Sequence, residues 1–215
     1  MGRLIEVNSP LVKHYIGIIR DVESDKNTFS SAIENLAYLM LPQITSDLLL
    51  TEKRIQTPLT ETTVASFYDK VLLIPILRAG LALLEPLKKV IPDTAVGYIG
   101  MKRGTNADGI TADMYYENLP PNLHEYNIMI LDCIIATGSS IALAINHLKQ
   151  YGVAEKKISV ISVMSARPGL DSLCSQFPDI TIATCQIDEK LNEKGFIVPG
   201  LGDAGNRYNG YDIEE

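Results

Sequence analysis

Five short, nearly continuous apolar runs, separated mostly by segments of helix length, constrain this chain more than any other feature. They are Lys70–Leu77 (KVLLIPIL), Thr94–Met101 (TAVGYIGM), Tyr126–Cys133 (YNIMILDC), Lys157–Met164 (KISVISVM) and Ile180–Ile187. Gly80–Val90, Ser139–Tyr151 and Pro168–Phe177 read as the intervening helices. A strand that is apolar on both faces must be covered on both, and parallel strands need a long crossover to bring the chain back. The pattern therefore predicts an α/β fold, a parallel sheet flanked by helices. Two more helices precede it. Ser9-Pro10 has the form of an N-cap with proline in the first turn, opening a helix over 10–21. Phe29, Ile33, Leu36, Ala37, Met40 and Leu41 share one helical face, and Pro42 is expected to end that helix. Sheets of this kind bind ligands beyond the carboxyl ends of their strands, so the site is sought there.

Composition narrows the class. With 215 residues, 46% of them hydrophobic, the chain can bury a substantial core. No repeat, low-complexity tract or linker divides it, so a single domain over 1–215 is expected. The formal net charge of −7 lacks the footprint of a phosphate-backbone binder, and nucleic acid is not an expected partner. Cys133, Cys174 and Cys185 include no C-x-x-C pair, which excludes a disulfide framework and a four-cysteine zinc site. No apolar run approaches the roughly 20 residues of a membrane span, and the start of the chain lacks a signal-peptide core. A soluble, cytoplasmic protein without a membrane partner is expected.

Four strand-end or loop segments carry chemistry. In the first, Ile128–Leu131 delivers Asp132, and Cys133-Ile134-Ile135-Ala136-Thr137-Gly138-Ser139-Ser140 leads into a helix. A helix start offers unpaired N–H groups and a partial positive charge, to which the hydroxyls add donors. Gly138 lets a phosphate approach the backbone, and Asp132 is placed to accept from sugar hydroxyls. The plainer reading has Ser139 or Ser140 capping the helix. In the second, Val71–Leu77 ends in Arg78-Ala79-Gly80, and the arginine fork suits pyrophosphate.

The third, Gly200-Leu201-Gly202-Asp203-Ala204-Gly205, matches G-x-G-x-x-G, but only ten residues follow. A dinucleotide unit needs a helix and an acid about 20 residues on, which excludes NAD. With Leu191–Pro199 before it, the segment reads as bare backbone for a flat ligand, with Asp203 as a nearby charge. The fourth runs from Met101-Lys102-Arg103 to Tyr115-Tyr116. Its Asn106-x-Asp108-Gly109 suggests a calcium loop, but Gly104 and Tyr115 occupy the positions that need Asp and Glu. His14, His124 and His147 are scattered without metal or triad spacing, and Cys133 reads as a small buried residue rather than a reactive thiol.

Together, Asp132 before A-T-G-S-S, P-I-L-R-A-G at Pro75–Gly80 and the 191–206 string resemble the uracil phosphoribosyltransferase family, in the correct order. The resemblance runs from about Ile5 to Arg207. It implies a type I phosphoribosyltransferase fold with a small hood built from the chain ends. The implied reaction converts uracil and phosphoribosyl pyrophosphate (PRPP) to UMP and pyrophosphate, with Mg²⁺ carried on PRPP and no covalent protein nucleophile. It further implies a homodimer or higher homo-oligomer, and admits a GTP effector.

Residue by residue, PRPP falls to Arg78, Arg103, Asp132, Asp203 and the run Cys133, Ile134, Ile135, Ala136, Thr137, Gly138, Ser139 and Ser140. Uracil falls to Ile197, Gly202, Asp203 and Ala204. The family's mobile flap falls on 101–116, and a cis peptide is expected at Arg78-Ala79. The chain departs from the usual pattern at Cys133 (commonly Pro), at Asn206 (commonly Asp) and at Gly104-Thr105-Asn106 (commonly acidic). Two rivals follow: a regulatory protein on the same fold that binds nucleotides or RNA, and a weakly active homologue.

Overall fold

The computed structural model of the protein describes residues 3–106 and 109–210; the side chains of Arg103, 105–106 and 109–111 lie outside that description. In chain order it contains β1 (Arg3–Glu6), α1 (Pro10–Arg20), α2 (Lys26–Ile44), β2 (Leu50–Gln56), β3 (Glu61–Phe67), β4 (Lys70–Leu77) and α3 (Leu81–Val90). Then come β5 (Ala95–Val96), β6 (Tyr98–Asn106), β7 (Gly109–Asn118), β8 (Tyr126–Leu131), β9 (Ile134–Ile135), α4 (Ser139–Gln150) and β10 (Ile158–Ala166). The rest comprises α5 (Arg167–Gln176), β11 (Thr181–Asp188), β12 (Lys190–Leu191), β13 (Ile197–Val198) and α6 (Ala204–Asn209).

The main sheet runs β1-β11-β10-β8-β4-β6-β7, parallel except for the antiparallel β6–β7 hairpin. Period-two alternation sorts its side chains into two cores. Val71 and Leu73 of β4 meet Leu83 and Leu87 of α3 and the apolar faces of α1 and α2. Leu72, Ile74 and Ile76 point the other way, to Ile141, Ile145 and Leu148 of α4 and Leu170 and Leu173 of α5. Burying each such side chain contributes about 1.5–3 kcal/mol, which is what the continuous apolar runs supply.

β4 spans the expected residues, and three of the other four strands agree to within two residues at each end. Four differences have local causes. Helix α2 continues through Pro42 to Ile44. Proline in the last turn removes a single backbone donor, and the helix stops where the N–H and hydroxyl of Thr45 both donate to the Leu41 carbonyl. The expected strand 94–101 divides at Gly97, and its second part lengthens into the β6–β7 hairpin. Edge strand β1 and the exposed β2–β3 hairpin carry no buried alternating face, and sequence reading missed both. Among the described residues no helix is long and apolar enough to cross a membrane.

Candidate active site

The parallel register brings the carboxyl ends of β4, β8, β10 and β11 to one side of the sheet. Beyond β8, Asp132 turns its carboxylate toward the backbone N–H of Ile134, 3.5 Å away. It is half-buried at the cavity wall. Burial pushes its carboxyl up to about 7, against the N–H groups of Ile134 and Cys133, which favour the charged form.

Gly138 stands at the N-cap of α4 with φ of +81° and no side-chain cap bond. Neither serine caps the helix. Instead Thr137 Oγ1 and Ser139 Oγ lie 2.9 Å apart, Thr137 Oγ1 also accepts from the Ser139 N–H at 3.4 Å, and Ser139, Ser140 and Ile141 line the cavity with the first turn. A helix start in that state suits an anion. Gly138 has a second constraint: a Cβ there would lie 2.9 Å from Leu173 Cγ and 3.1 Å from the Gly169 carbonyl.

At the end of β4 the cis peptide is Leu77-Arg78, one bond earlier than expected. The loop then presses on the neighbouring strand, where a Cβ on Gly80 would lie 2.1 Å from the Leu131 carbonyl. At the C-terminal end of the chain, Val198-Pro199 is also cis, and Gly200 and Gly202 take φ of +62° and +79°. Asp203 Oδ1 accepts from the Asn206 N–H at 2.8 Å, capping α6. Where a Cβ of Gly202 would stand there is open space.

These segments enclose one cavity of about 220 Å³. Its wall includes Arg78, Asp132, Ile134 to Ser140, Ile197, Gly202, Asp203 and Ala204. Nearly every sequence-assigned residue is therefore brought to one place. Cys133 is the exception: it is fully buried beneath the wall, with its thiol donating to the Ala79 carbonyl at 3.2 Å. Arg103 lies in β6, but its side chain is outside the described residues. Lys102, Phe196 and Gly205 also line the cavity and were not assigned. Among the described residues no group of three or more His, Cys, Asp or Glu could hold a metal ion.

A sequence profile described as uracil phosphoribosyltransferase matches residues 6–210. The uracil phosphoribosyltransferase of Campylobacter jejuni (strain 81-176) is 39% identical over 201 residues, covering 94% of this chain and 95% of the relative. That of Bacillus thuringiensis (strain Al Hakam) is 39% identical over 211 residues, covering 98% and 99%. The chain belongs to the uracil phosphoribosyltransferase family.

Among solved structures, the AQ2163 protein of Aquifex aeolicus superposes with a TM-score of 0.90 at 28% identity, over 98% of this chain and 99% of that one. A hypoxanthine phosphoribosyltransferase from Staphylococcus aureus, 11% identical with a TM-score of 0.51 over 75% and 76%, shares the fold alone. The type I phosphoribosyltransferase fold is thus the observed one. Membership of the uracil phosphoribosyltransferase family also favours the enzyme over the regulatory reading. Of the departures from the family pattern, Cys133 is absorbed into the core, and Asn206 contributes its backbone N–H to the Asp203 cap.

Proposed function

We propose that the protein transfers the phosphoribosyl group of PRPP to N1 of uracil, releasing UMP and pyrophosphate. The observation that carries this reading is that Asp132, the glycine-capped start of α4, Arg78 and the Gly202–Ala204 backbone all face one cavity. The turn from Thr137 to Ser140 would hold the 5′-phosphate, and Asp132 the ribose hydroxyls. Arg78, with Arg103 and Lys102, would face the pyrophosphate. Ile197 would pack on the base while the 202–204 backbone reads its edge.

In the reaction the C1′–O bond to pyrophosphate breaks, the C1′–N1 bond forms, and the N1 proton leaves. The transition state is oxocarbenium-like, so positioning and fixed charge do the catalytic work and no covalent nucleophile is needed. Two carboxylates, Asp132 and Asp203, line the cavity. Mg²⁺, which the family resemblance implies is carried on PRPP, would supply charge neutralisation for the departing pyrophosphate.

The hood reading is supported by α1, which touches the C-terminal segment through the Arg20 guanidinium on the Gly200 carbonyl and Arg207 on the Ile19 carbonyl. Exposed Leu50, Leu59, Phe67 and Tyr68 on and beside the β2–β3 hairpin support a homo-oligomer. A GTP effector and a cytoplasmic location rest on the family resemblance and the sequence. The deciding experiment is an assay of UMP and pyrophosphate formed from uracil, PRPP and Mg²⁺. A folded protein that forms neither would overturn the proposal.

A further inference from the structure

Gly200 is held by its backbone from both sides. Its N–H donates to Asp188 Oδ2 at 3.0 Å, and its carbonyl accepts from Arg20 Nη1 at 2.9 Å. Arg20 and Asp188 are themselves joined as a fork, with Nη1–Oδ2 at 2.9 Å and Nη2–Oδ1 at 2.6 Å. One end of this arrangement is the rigid end of β11, where Asp188 is 6% exposed, and the other is the last residue of α1. The next carbonyl, that of Leu201, accepts from Arg207 Nη1 at 3.0 Å. Arg207 in turn donates to the carbonyls of Ile19 and Asp21 and lies 4.4 Å from the Phe29 ring centroid. Two consecutive peptide units are thus tied to one helix end, immediately before Gly202.

A partly buried ion pair such as this is a weak way to stabilise a core, because desolvation offsets much of its attraction. Burial pushes the Asp188 carboxyl up, but the Arg20 fork and the Gly200 N–H outweigh it and hold it below the usual carboxylate range. What the pair does that apolar residues could not do is fix both backbone polar groups of one glycine residue. We propose that Arg20 and Asp188 are positioning residues for the base, setting where the Gly202–Ala204 backbone stands at the cavity. The inference rests on the reading of that segment as the uracil edge. PRPP is assigned mainly to the other walls, so the pair should affect one substrate and spare the other.

The test is steady-state kinetics of Arg20→Lys, which keeps the charge but loses the fork, and of Asp188→Asn. A displacement of the base by a fraction of an ångström to one ångström should raise KM for uracil about ten- to a hundredfold. KM for PRPP should stay within about threefold, since its contacts are unchanged. Amide exchange at 200–204 should quicken while that of β11 does not. If Asp188→Asn fails to fold, Arg207→Lys gives the same comparison at the adjacent peptide. A wild-type uracil KM in Arg20→Lys, or uracil and PRPP constants rising together, would overturn the positioning role. A wild-type protein that forms no UMP removes the base reading itself, and this inference with it, which is a separate outcome.

Discussion

The thiol of Cys133 donates to the carbonyl of Ala79 across 3.2 Å, joining the loop after β8 to the loop that carries Arg78. A proline there could not make this bond, so the departure from the family pattern adds a tie between two walls of the cavity. The thiol is fully buried, and burial together with the Asp132 charge pushes its pKa far up. Burial also pushes Cys185 up to about 12. Cys174 is the exposed cysteine. A disulfide-exchange reagent should therefore titrate one thiol in the native protein and all three after denaturation. Rapid native labelling of Cys133, located by mass spectrometry, would contradict the tie.

Asp132 gives the site a pH dependence. Burial pushes its carboxyl up to about 7, well above the ordinary aspartate value, so the folded protein binds the proton more tightly than the unfolded chain. This contribution to stability is full below pH 4 and is lost as pH rises through about 7. PRPP hydroxyls need the carboxylate, so KM for PRPP should fall by up to about tenfold between pH 6 and 8. Asp132→Asn should fold, bind PRPP more weakly by about 1.5–3 kcal/mol, and flatten the pH profile. The same pH profile in wild type and variant would assign the titration to PRPP itself.

Gly138→Ala probes the phosphate loop. The new methyl would meet Leu173 Cγ at 2.9 Å in a backbone with φ of +81°. Left-handed strain and overpacking together should cost about 2–4 kcal/mol, read as a lower urea midpoint, with a raised KM for PRPP. A stability change under about 0.5 kcal/mol would mean that α5 is not packed against this loop.

How much of this was legible from sequence follows from where the signal sits. β4 and the helices around it were readable because Val71–Leu77 and Leu81–Val90 bury apolar side chains at regular spacing. The β2–β3 hairpin was not, because LTEKRIQ and ETTVASF bury almost nothing and so leave no periodic trace. Cavity-lining residues were legible where a motif is contiguous, as at Asp132 and from Ile134 to Ser140. The Arg20–Asp188 pair spans 168 positions, and neither residue stands in a local pattern that names the other. Lys102 and Phe196 lay within quoted segments, but only the fold shows that they turn to the cavity. The Thr137-Gly138-Ser139 run was ambiguous between cap and anion loop. Gly138 is the N-cap and both serines lie inside α4, which removes the serine-cap reading.

Base choice is the sharpest test of the proposed site. Uracil offers a donor at N3–H between two carbonyl acceptors, which backbone C=O and N–H groups can read. Gly202 leaves open space in front of its backbone, and Ala204 adds only a methyl group. Cytosine presents an acceptor at N3 and an amino donor at C4, so two contacts reverse polarity. Each mismatch in a water-excluded site costs about 1–3 kcal/mol, and two together about 2–6 kcal/mol. That corresponds to roughly 30-fold to 10⁴-fold in kcat/KM. 5-Fluorouracil keeps the pattern and nearly the size, so it should be used at a rate close to that of uracil. Thymine keeps the pattern and adds a methyl, so any discrimination against it must be steric. The measurement is kcat/KM for all four bases at saturating PRPP. Cytosine turned over within a few-fold of uracil would show that the 202–204 backbone does not read the base edge.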